Sequence, residues 1–315
     1  MLRHVRHLAE YFVFRIIVCA IDILSVRQSV RLAVSLATFV HHGLPRRITR
    51  YAVCRENIRR AFGDDVPEAE VDRLVHAMWV HLFRLLVEIV QLPRKLRRAD
   101  HLDCVVMPQR DETVRLLASG RPVIVLSGHF GNWELANHCF GVFGWRMGVV
   151  ARDMDNPLLH RWFARYRQRT GHRLIPKKGG AGDIVRIVER RGYVGMLGDQ
   201  DAGSKGLFVE FFGHDASTFK SIALLAMQHR ALICVGYARR LPDDLANQRW
   251  PQFELGNTDV IDPEEYDGPQ AIRQITQRYT TAIERAVRLA PEQYFWLHRR
   301  WKSKPGQRQA RRKAA

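Results

Sequence analysis

From Pro122 onward the chain alternates short β-branched runs with longer stretches of helical period, and this rhythm constrains the fold more than any other feature of its 315 residues. Strands separated by helix-length connections pair in parallel, so the pattern predicts an α/β fold: a mostly parallel central sheet flanked by helices. The strand candidates are 123–126, 148–151, 173–175, 194–197, 208–211 and 232–237. Helices are expected over 133–143, 157–170, 181–190 and 217–229, with a last long one over 269–289. The segment 241–268, rich in Asp, Pro and Asn, reads as a loop carrying one strand at 252–255.

Residues 1–100 read differently, as helices packed on the core. An apolar-periodic stretch runs over 30–40, and a longer one begins at Glu68, where Asp65-Val66-Pro67-Glu68 resembles a capping box with proline in the first turn. Val71, Leu74, Val75, Met78, Leu82, Leu85, Leu86 and Ile89 then recur at helical spacing, predicting a helix over 68–92 that covers the core. His76 and His81 on it have no partner spaced for a metal and read as packed or solvated side chains. The apolar segment Tyr11–Leu24 is interrupted by Arg15 and Asp22, too short a clean run to span a bilayer, and reads as a helix lying on or shallowly inserted in a membrane. The flanking basic excess favours an anionic cytoplasmic leaflet. This divides the chain into an N-terminal helical, membrane-anchoring segment (1–100), an α/β core (101–302) and a basic tail (303–315) expected to be disordered.

The 50 Lys and Arg against 32 Asp and Glu, a formal +18, demand an anionic partner: nucleic acid, an acidic substrate or an anionic lipid surface. The five cysteines are scattered and never form Cys-x-x-Cys, which argues against a disulfide framework or a zinc knuckle and fits a reducing compartment.

Within this frame, the run Ser127-Gly128-His129-Phe130-Gly131-Asn132-Trp133-Glu134 lies between a strand and a helix, in the kind of crevice where open α/β sheets hold ligands. Residues five apart on one helix point roughly 140° away from each other, so His129 can meet Glu134 only from the loop, with Glu134 in the first helical turn. Gly128 and Gly131 make that bend sterically cheap. A neutral imidazole can take a proton from a hydroxyl, and a carboxylate on its far nitrogen fixes the tautomer, the role expected of Glu134. No Gly-x-Ser-x-Gly nucleophile surrounds the pair. The hydroxyl of an acceptor is then the attacker, and it needs an activated acyl group such as a thioester. Zinc held by His129, Glu134 and His138 is disfavoured because no His-Glu-x-x-His occurs, and Cys139 in an apolar helix reads as a core residue. No metal is expected.

The run resembles the His-x4-Asp/Glu motif of the lysophospholipid acyltransferase superfamily, in its branch of lipid A biosynthesis late acyltransferases (lauroyl and myristoyl transferases). Three further blocks carry the likeness: Arg152-Asp153-Met154-Asp155-Asn156-Pro157; Gly198-Asp199-Gln200-Asp201 with Phe211-Phe212-Gly213-His214-Asp215-Ala216-Ser217-Thr218; and Pro291-Glu292-Gln293-Tyr294-Phe295-Trp296-Leu297-His298-Arg299-Arg300-Trp301-Lys302. Glu210 stands where the family commonly has proline, and Phe219-Lys220-Ser221 replaces a small-residue stretch, departures that bear on acceptor and chain preference. The resemblance implies transfer of a fatty acyl chain from acyl carrier protein or acyl-CoA to a hydroxyl of a membrane glycolipid, first a lipid A precursor. It implies catalysis by His129 and Glu134 without a covalent acyl-enzyme or any cofactor beyond the acyl thioester. The site would face the cytosol at the inner membrane, and substrate contacts would come from Asn132, Arg152, Asp199, Gln200, Gly206, Phe212 and Thr218 in a monomer. Arg152 could hold the oxyanion, grip a phosphate or pair with Asp153 or Asp155. Asp199 to Asp201 could shape the pocket or cap a turn. Gly179, Gly180 and Gly182 beside Lys177 and Lys178 could bind a phosphate or only open a helix.

Another glycolipid or a lysophospholipid is the alternative acceptor. The rival of a different class is a basic nucleic-acid-binding protein, which would explain the charge and the His298-Arg299-Arg300 cluster beside Trp296 and Trp301 but leaves His129 idle. No nucleic-acid partner is expected. The two classes separate in one fractionation: the protein should pellet with membranes, require detergent for release and ignore nuclease, whereas salt-sensitive co-purification with nucleic acid would reverse the assignment.

Overall fold

The computed structural model describes residues 2–96, 101–244 and 246–306. Four helices come first: α1 (Leu2–Asp22), α2 (Val26–Thr38), α3 (Tyr51–Phe62) and α4 (Glu68–Lys95). The core follows as α5 (His101–Cys104), β1 (Val105–Val106), α6 (Arg110–Leu117), β2 (Val123–Ser127), α7 (Trp133–Val142), β3 (Met147–Ala151), α8 (Pro157–Gln168), β4 (Arg173–Pro176), α9 (Ala181–Glu189) and β5 (Tyr193–Leu197). It ends with β6 (Leu207–Phe211), β7 (His214–Thr218), α10 (Lys220–His229), β8 (Leu232–Arg240), β9 (Phe253–Ile261) and α11 (Ala271–Leu289).

A 7-stranded sheet in the order β1-β9-β8-β2-β5-β3-β4 forms the centre, parallel throughout except for the β8–β9 pair. The α/β fold with a mostly parallel sheet flanked by helices is therefore the observed one. Because β2 is flanked by β5 on one side and β8 on the other, chain connections leave it in both directions, and a crevice opens at its carboxyl end. One sheet face is packed solid: Ile124, Leu126, Val194, Ile233 and Val235 meet Ile222 of α10 and Tyr279 and Ile283 of α11. The opposite face, bearing Val123, Leu232 and Cys234, is covered more thinly, by Leu117, Phe140 and Trp145.

Several expectations change in the fold. Residues 208–211 belong not to the central sheet but to a separate antiparallel hairpin, β6–β7, whose second strand takes the residues expected to begin a helix at 217. Its turn is Phe212-Gly213, both at positive φ (53° and 72°), the backbone a two-residue hairpin of this hand requires. The strand expected at 252–255 within the loop 241–268 is the start of the nine-residue β9, antiparallel to β8, whose Asn and Asp concealed its length. Glu68 makes no capping box; helix α4 opens after Pro67 without a side-chain cap, and the Glu68 carboxylate instead takes Arg55 (2.8 Å) and Arg59 (2.8 Å). Residues 307–315 of the basic tail lie outside the described residues, whereas Ser303 is held by Asp201, its hydroxyl 3.0 Å from Oδ2.

Among the described residues one helix, α4, is long and apolar enough to cross a membrane, and half of its apolar window is buried in the fold. Helix α1 packs on α8 through Phe14 against Trp162 and through Asn156, whose amide donates to the His7 carbonyl and to Glu10. Its other side exposes Val5, Leu8, Phe12, Val13, Ile16 and Ile17.

Helix α4 is locked to β8 by charge. Arg240 donates two 2.7 Å bonds to the two oxygens of Glu88 and a third bond, of 2.9 Å, to His81 Nδ1, with all three residues buried. Glu88 also accepts from the Asn132 amide at 2.9 Å, and Gln293 closes on the backbone of Arg240 from both sides, Oε1 accepting and Nε2 donating. Removing one partner strands a buried charge, so Glu88→Ala should cost about 3–5 kcal/mol in urea unfolding. The double variant Glu88→Met/Arg240→Met should cost markedly less than the two single variants summed; additive losses would show that the pair is not coupled.

Candidate active site

His129 follows β2 by two residues and Asp199 follows β5 by two residues, and these strands are neighbours in register, Ser127 beside Leu197. The two side chains therefore meet at the carboxyl edge of the sheet. Asp199, buried, accepts twice from His129: the backbone N–H at 2.8 Å on Oδ2 and ring Nδ1 at 2.8 Å to Oδ1. Gly128 permits this approach, since a Cβ there would fall 3.3 Å from Asp199 Oδ2 and 3.0 Å from Ile283. At Gly131 the backbone is left-handed (φ +59°) and a Cβ would lie 2.0 Å from the Ala238 carbonyl oxygen, so no other residue fits. Neighbouring backbone clamps the loop: Gly131 N–H donates to the Gln293 carbonyl (3.0 Å), Asn132 N–H to that of Ala238 (2.7 Å), and Phe295 N–H to that of His129 (3.0 Å).

Burial alone would lower the His129 pKa, but the Asp199 carboxylate outweighs it and holds the imidazole above its ordinary value. Burial pushes Asp199 the other way, yet His129 keeps its carboxyl well below the usual range. With Nδ1–H donated to Asp199, His129 presents Nε2 as an acceptor. The Gln200 amide nitrogen lies 3.4 Å from that Nε2 and 2.7 Å from Nε2 of His298, so it donates to both rings. Burial first, and then nearby His129, push His298 down to about 4, which keeps its Nε2 free to accept. Trp133 and Phe295 flank the His129 ring.

The carboxylate on His129 is thus Asp199, not the expected Glu134. Glu134 sits in the first turn of α7 as anticipated, but there its side chain turns to Arg167 of α8, which contacts it at 2.6 Å through Nη2 and 3.1 Å through Nε. A guanidinium fork satisfies both carboxylate oxygens better than one imidazole N–H can. Glu134 still raises the His129 pKa through space, as the smallest of the named influences.

A cavity of about 1290 Å³ opens beside His129, larger than the roughly 300–1,000 Å³ typical of small-molecule sites. Its wall is mainly apolar and includes Glu134, Arg152, Lys177, Gln200 and Arg167 as polar members. Of the expected substrate contacts, Arg152 and Gln200 therefore face the cavity, and Asp199 stands directly behind His129. Asn132, Gly206, Phe212 and Thr218 do not line it, because each is used in the framework. Asn132 caps α7 by accepting from Leu135 N–H and donates to Glu88. A Cβ at Gly206 would lie 2.0 Å from Ser217 Oγ, Phe212 forms the hairpin turn, and Thr218 Oγ1 takes a 2.7 Å bond from buried Arg300. Arg300 is thereby a clip on β7 rather than a surface cation. At the glycine-rich turn, a Cβ at Gly180 would fall 2.2 Å from the Pro176 carbonyl oxygen, so packing accounts for that glycine, while Lys177 of the same turn reaches the cavity. His138 turns away to the Leu96 carbonyl.

Sequence reasoning missed Asp199 as the partner of His129, and missed His298 and Lys177 as neighbours of the site. One signal was available for Asp199: like His129, it stands just beyond a strand candidate.

A family model described as bacterial lipid A biosynthesis acyltransferase matches residues 1–303. Among curated proteins the chain is 28% identical over 192 residues to the lipid A biosynthesis lauroyltransferase of Escherichia coli (strain K12), covering 60% of this chain and 58% of that protein. It is 29% identical over 198 residues to the palmitoleoyltransferase of the same organism, covering 62% and 60%. It is also 28% identical over 204 residues to the phosphatidylinositol mannoside acyltransferase of Mycobacterium tuberculosis (strain ATCC 25618 / H37Rv), covering 62% and 61%. The chain thus spans about three fifths of the length of these relatives.

The two histidines should separate by NMR titration. His129 is expected to take its proton above the ordinary histidine value of about 6.5, and His298 only near pH 4. Coincident titrations near 6.5 would contradict the electrostatics described.

Proposed function

The chain belongs to the bacterial lipid A biosynthesis acyltransferase family, and from that premise we propose that it moves a fatty acyl chain from an acyl thioester, on acyl carrier protein or coenzyme A, to a hydroxyl of a membrane glycolipid. His129 is the general base and Asp199 its orienting partner. The observation that carries this reading is the 2.8 Å Nδ1–Asp199 bond, which leaves Nε2 free for a proton beside a large apolar cavity.

In the reaction, the acceptor hydroxyl displaces the long 3.4 Å contact between Nε2 and Gln200 and gives its proton to Nε2. Its oxygen attacks the thioester carbonyl; the tetrahedral intermediate collapses with loss of the thiolate, which recovers that proton from the imidazolium. Asp199 stabilises the imidazolium while it lasts. The amides of His129, Gly131 and Asn132 are already spent on protein acceptors, so the oxyanion falls to side chains that face the cavity, Gln200 and the cations Arg152 and Lys177. Glu134 acts through its grip on Arg167, presenting that guanidinium to the substrate, and through its field at His129.

A lipid A precursor is the first acceptor, because two of the relatives are named for lipid A biosynthesis. Similar identity to a phosphatidylinositol mannoside acyltransferase supports the glycolipid class more firmly than any one headgroup. The exposed apolar side of α1, with Phe12 two-thirds exposed (67%) and Arg3, Arg6 and Arg15 on the same helix, supports docking of a monomer on the cytosolic face of the inner membrane.

In a reconstituted assay with an acyl thioester and a purified lipid A precursor, His129→Ala should lower kcat/KM by roughly 10²–10⁴-fold. Glu134→Gln should retain much more activity, with its loss mainly in KM. Normal turnover by His129→Ala would end the general-base reading, and a Glu134→Gln defect as deep as that of His129→Ala would restore Glu134 to the chemistry.

A further inference from the structure

Two glycines in the interior of central strands carry no clash that demands glycine; Gly236 sits where β8 shifts register against β9, whereas Gly195 has no local reason to be glycine. Neither Gly195 in β5 nor Gly236 in β8 has a positive φ. A Cβ at Gly195 would meet nothing closer than Asn137 Oδ1 at 3.6 Å, and at Gly236 nothing closer than the Gly256 carbonyl oxygen at 3.5 Å, both ordinary contacts. Gly148 in neighbouring β3 differs, since its Cβ would lie 2.5 Å from Ile187. A bare glycine weakens a strand, and where packing does not require it, it marks the approach of something else. Here the space belongs to the cavity, which both residues line.

Register places Gly195 between Val149 and Val125, and Val125 beside Cys234, so these four residues form one row across the thinly covered face of the sheet. Val125 lies four residues back from His129, about 13 Å of chain at 3.3 Å per residue. Beyond this row the cavity is closed by Leu117, Phe140 and Trp145, the last stacked edge-on against Tyr193. A trough of this depth, smooth at one point and blocked by aromatic rings at its end, suits an extended hydrocarbon. Resting on the acyl-transfer reading above, in which the acyl chain of the thioester occupies this trough, we infer that the missing side chain at Gly195 sets how long a chain it accepts. The bond transferred stays at His129 while the tail passes over Gly195 toward Trp145.

The test is equilibrium binding of saturated fatty acids of increasing length to the full chain, read by displacement of a fluorescent fatty acid. In the wild type each added methylene should tighten binding by about fourfold until the trough is full. Gly195→Leu should bind short chains within twofold of wild type and lose at least tenfold on the longest, moving the optimum to shorter acids. Gly195→Ala, whose Cβ fits without a clash, should move it by a smaller step and carries the test if the leucine variant does not fold. Length profiles that coincide with wild type, or a loss uniform across lengths in a variant with an intact circular-dichroism melt, would overturn the inference. Because binding needs no turnover, a shifted profile in a protein that transfers no acyl group would defeat the acyltransferase reading and leave the trough standing. Transfer with an unshifted profile would do the reverse.

Discussion

Asp199 spends both of its oxygens on a single residue, one on the His129 backbone N–H and one on the ring, and the rest of the site depends on this double acceptance. The backbone bond fixes where the loop leaves β2; the ring bond fixes the tautomer and the direction of Nε2. A buried carboxylate left unpaired would be expensive, so each oxygen needs its donor. The interaction therefore ties the local geometry of the loop to the charge state of the imidazole. Gly128 is part of the same arrangement, since any side chain there would press on the Asp199 carboxylate.

Around this pair the chain gathers segments far apart in sequence. Helix α4 supplies Glu88, β8 supplies Arg240, and the closing block supplies Gln293 and Phe295, all bonded to the loop or to one another. Helix α3 joins through Asn57, whose amide donates to the carbonyls of Trp296 and His298. The N-terminal helices are thus not merely an appendage to the α/β core. They hold the C-terminal segment that carries His298 and the wall beside His129, so an apolar, exposed α1 and the half-buried His129 lie in one connected framework.

Much of the fold was legible because period is a local property: β2, β3, β4, β5 and β8, and the helices between them, follow from short β-branched runs and helical spacing. Only the start of strand β9 was legible, because the Asn and Asp further along it mimic a loop, and β7 was hidden because pairing across a left-handed Phe212-Gly213 turn outweighs the helical pattern that follows. His129 was legible from its position after a strand between glycines. Its partner was not, since a five-residue spacing to Glu134 is visible in a linear sequence whereas the adjacency of β2 and β5 is a product of sheet order. Arg167, which draws Glu134 away, is likewise 33 residues distant. The residues carried from the family blocks divide in the same way: Arg152 and Gln200 face the cavity, while Asn132, Phe212 and Thr218 hold the scaffold that shapes it.

The central claim is that Asp199 sets the basicity and direction of His129. It is tested most directly by the pH dependence of kcat/KM in the wild type and in Asp199→Asn. A base must be neutral to act, so activity rises with pH as His129 loses its proton. With the carboxylate present, that rise should fall above the ordinary histidine value; without it, burial dominates and the rise should move to lower pH, with a much reduced plateau. A rise at the same pH in both proteins would contradict the account.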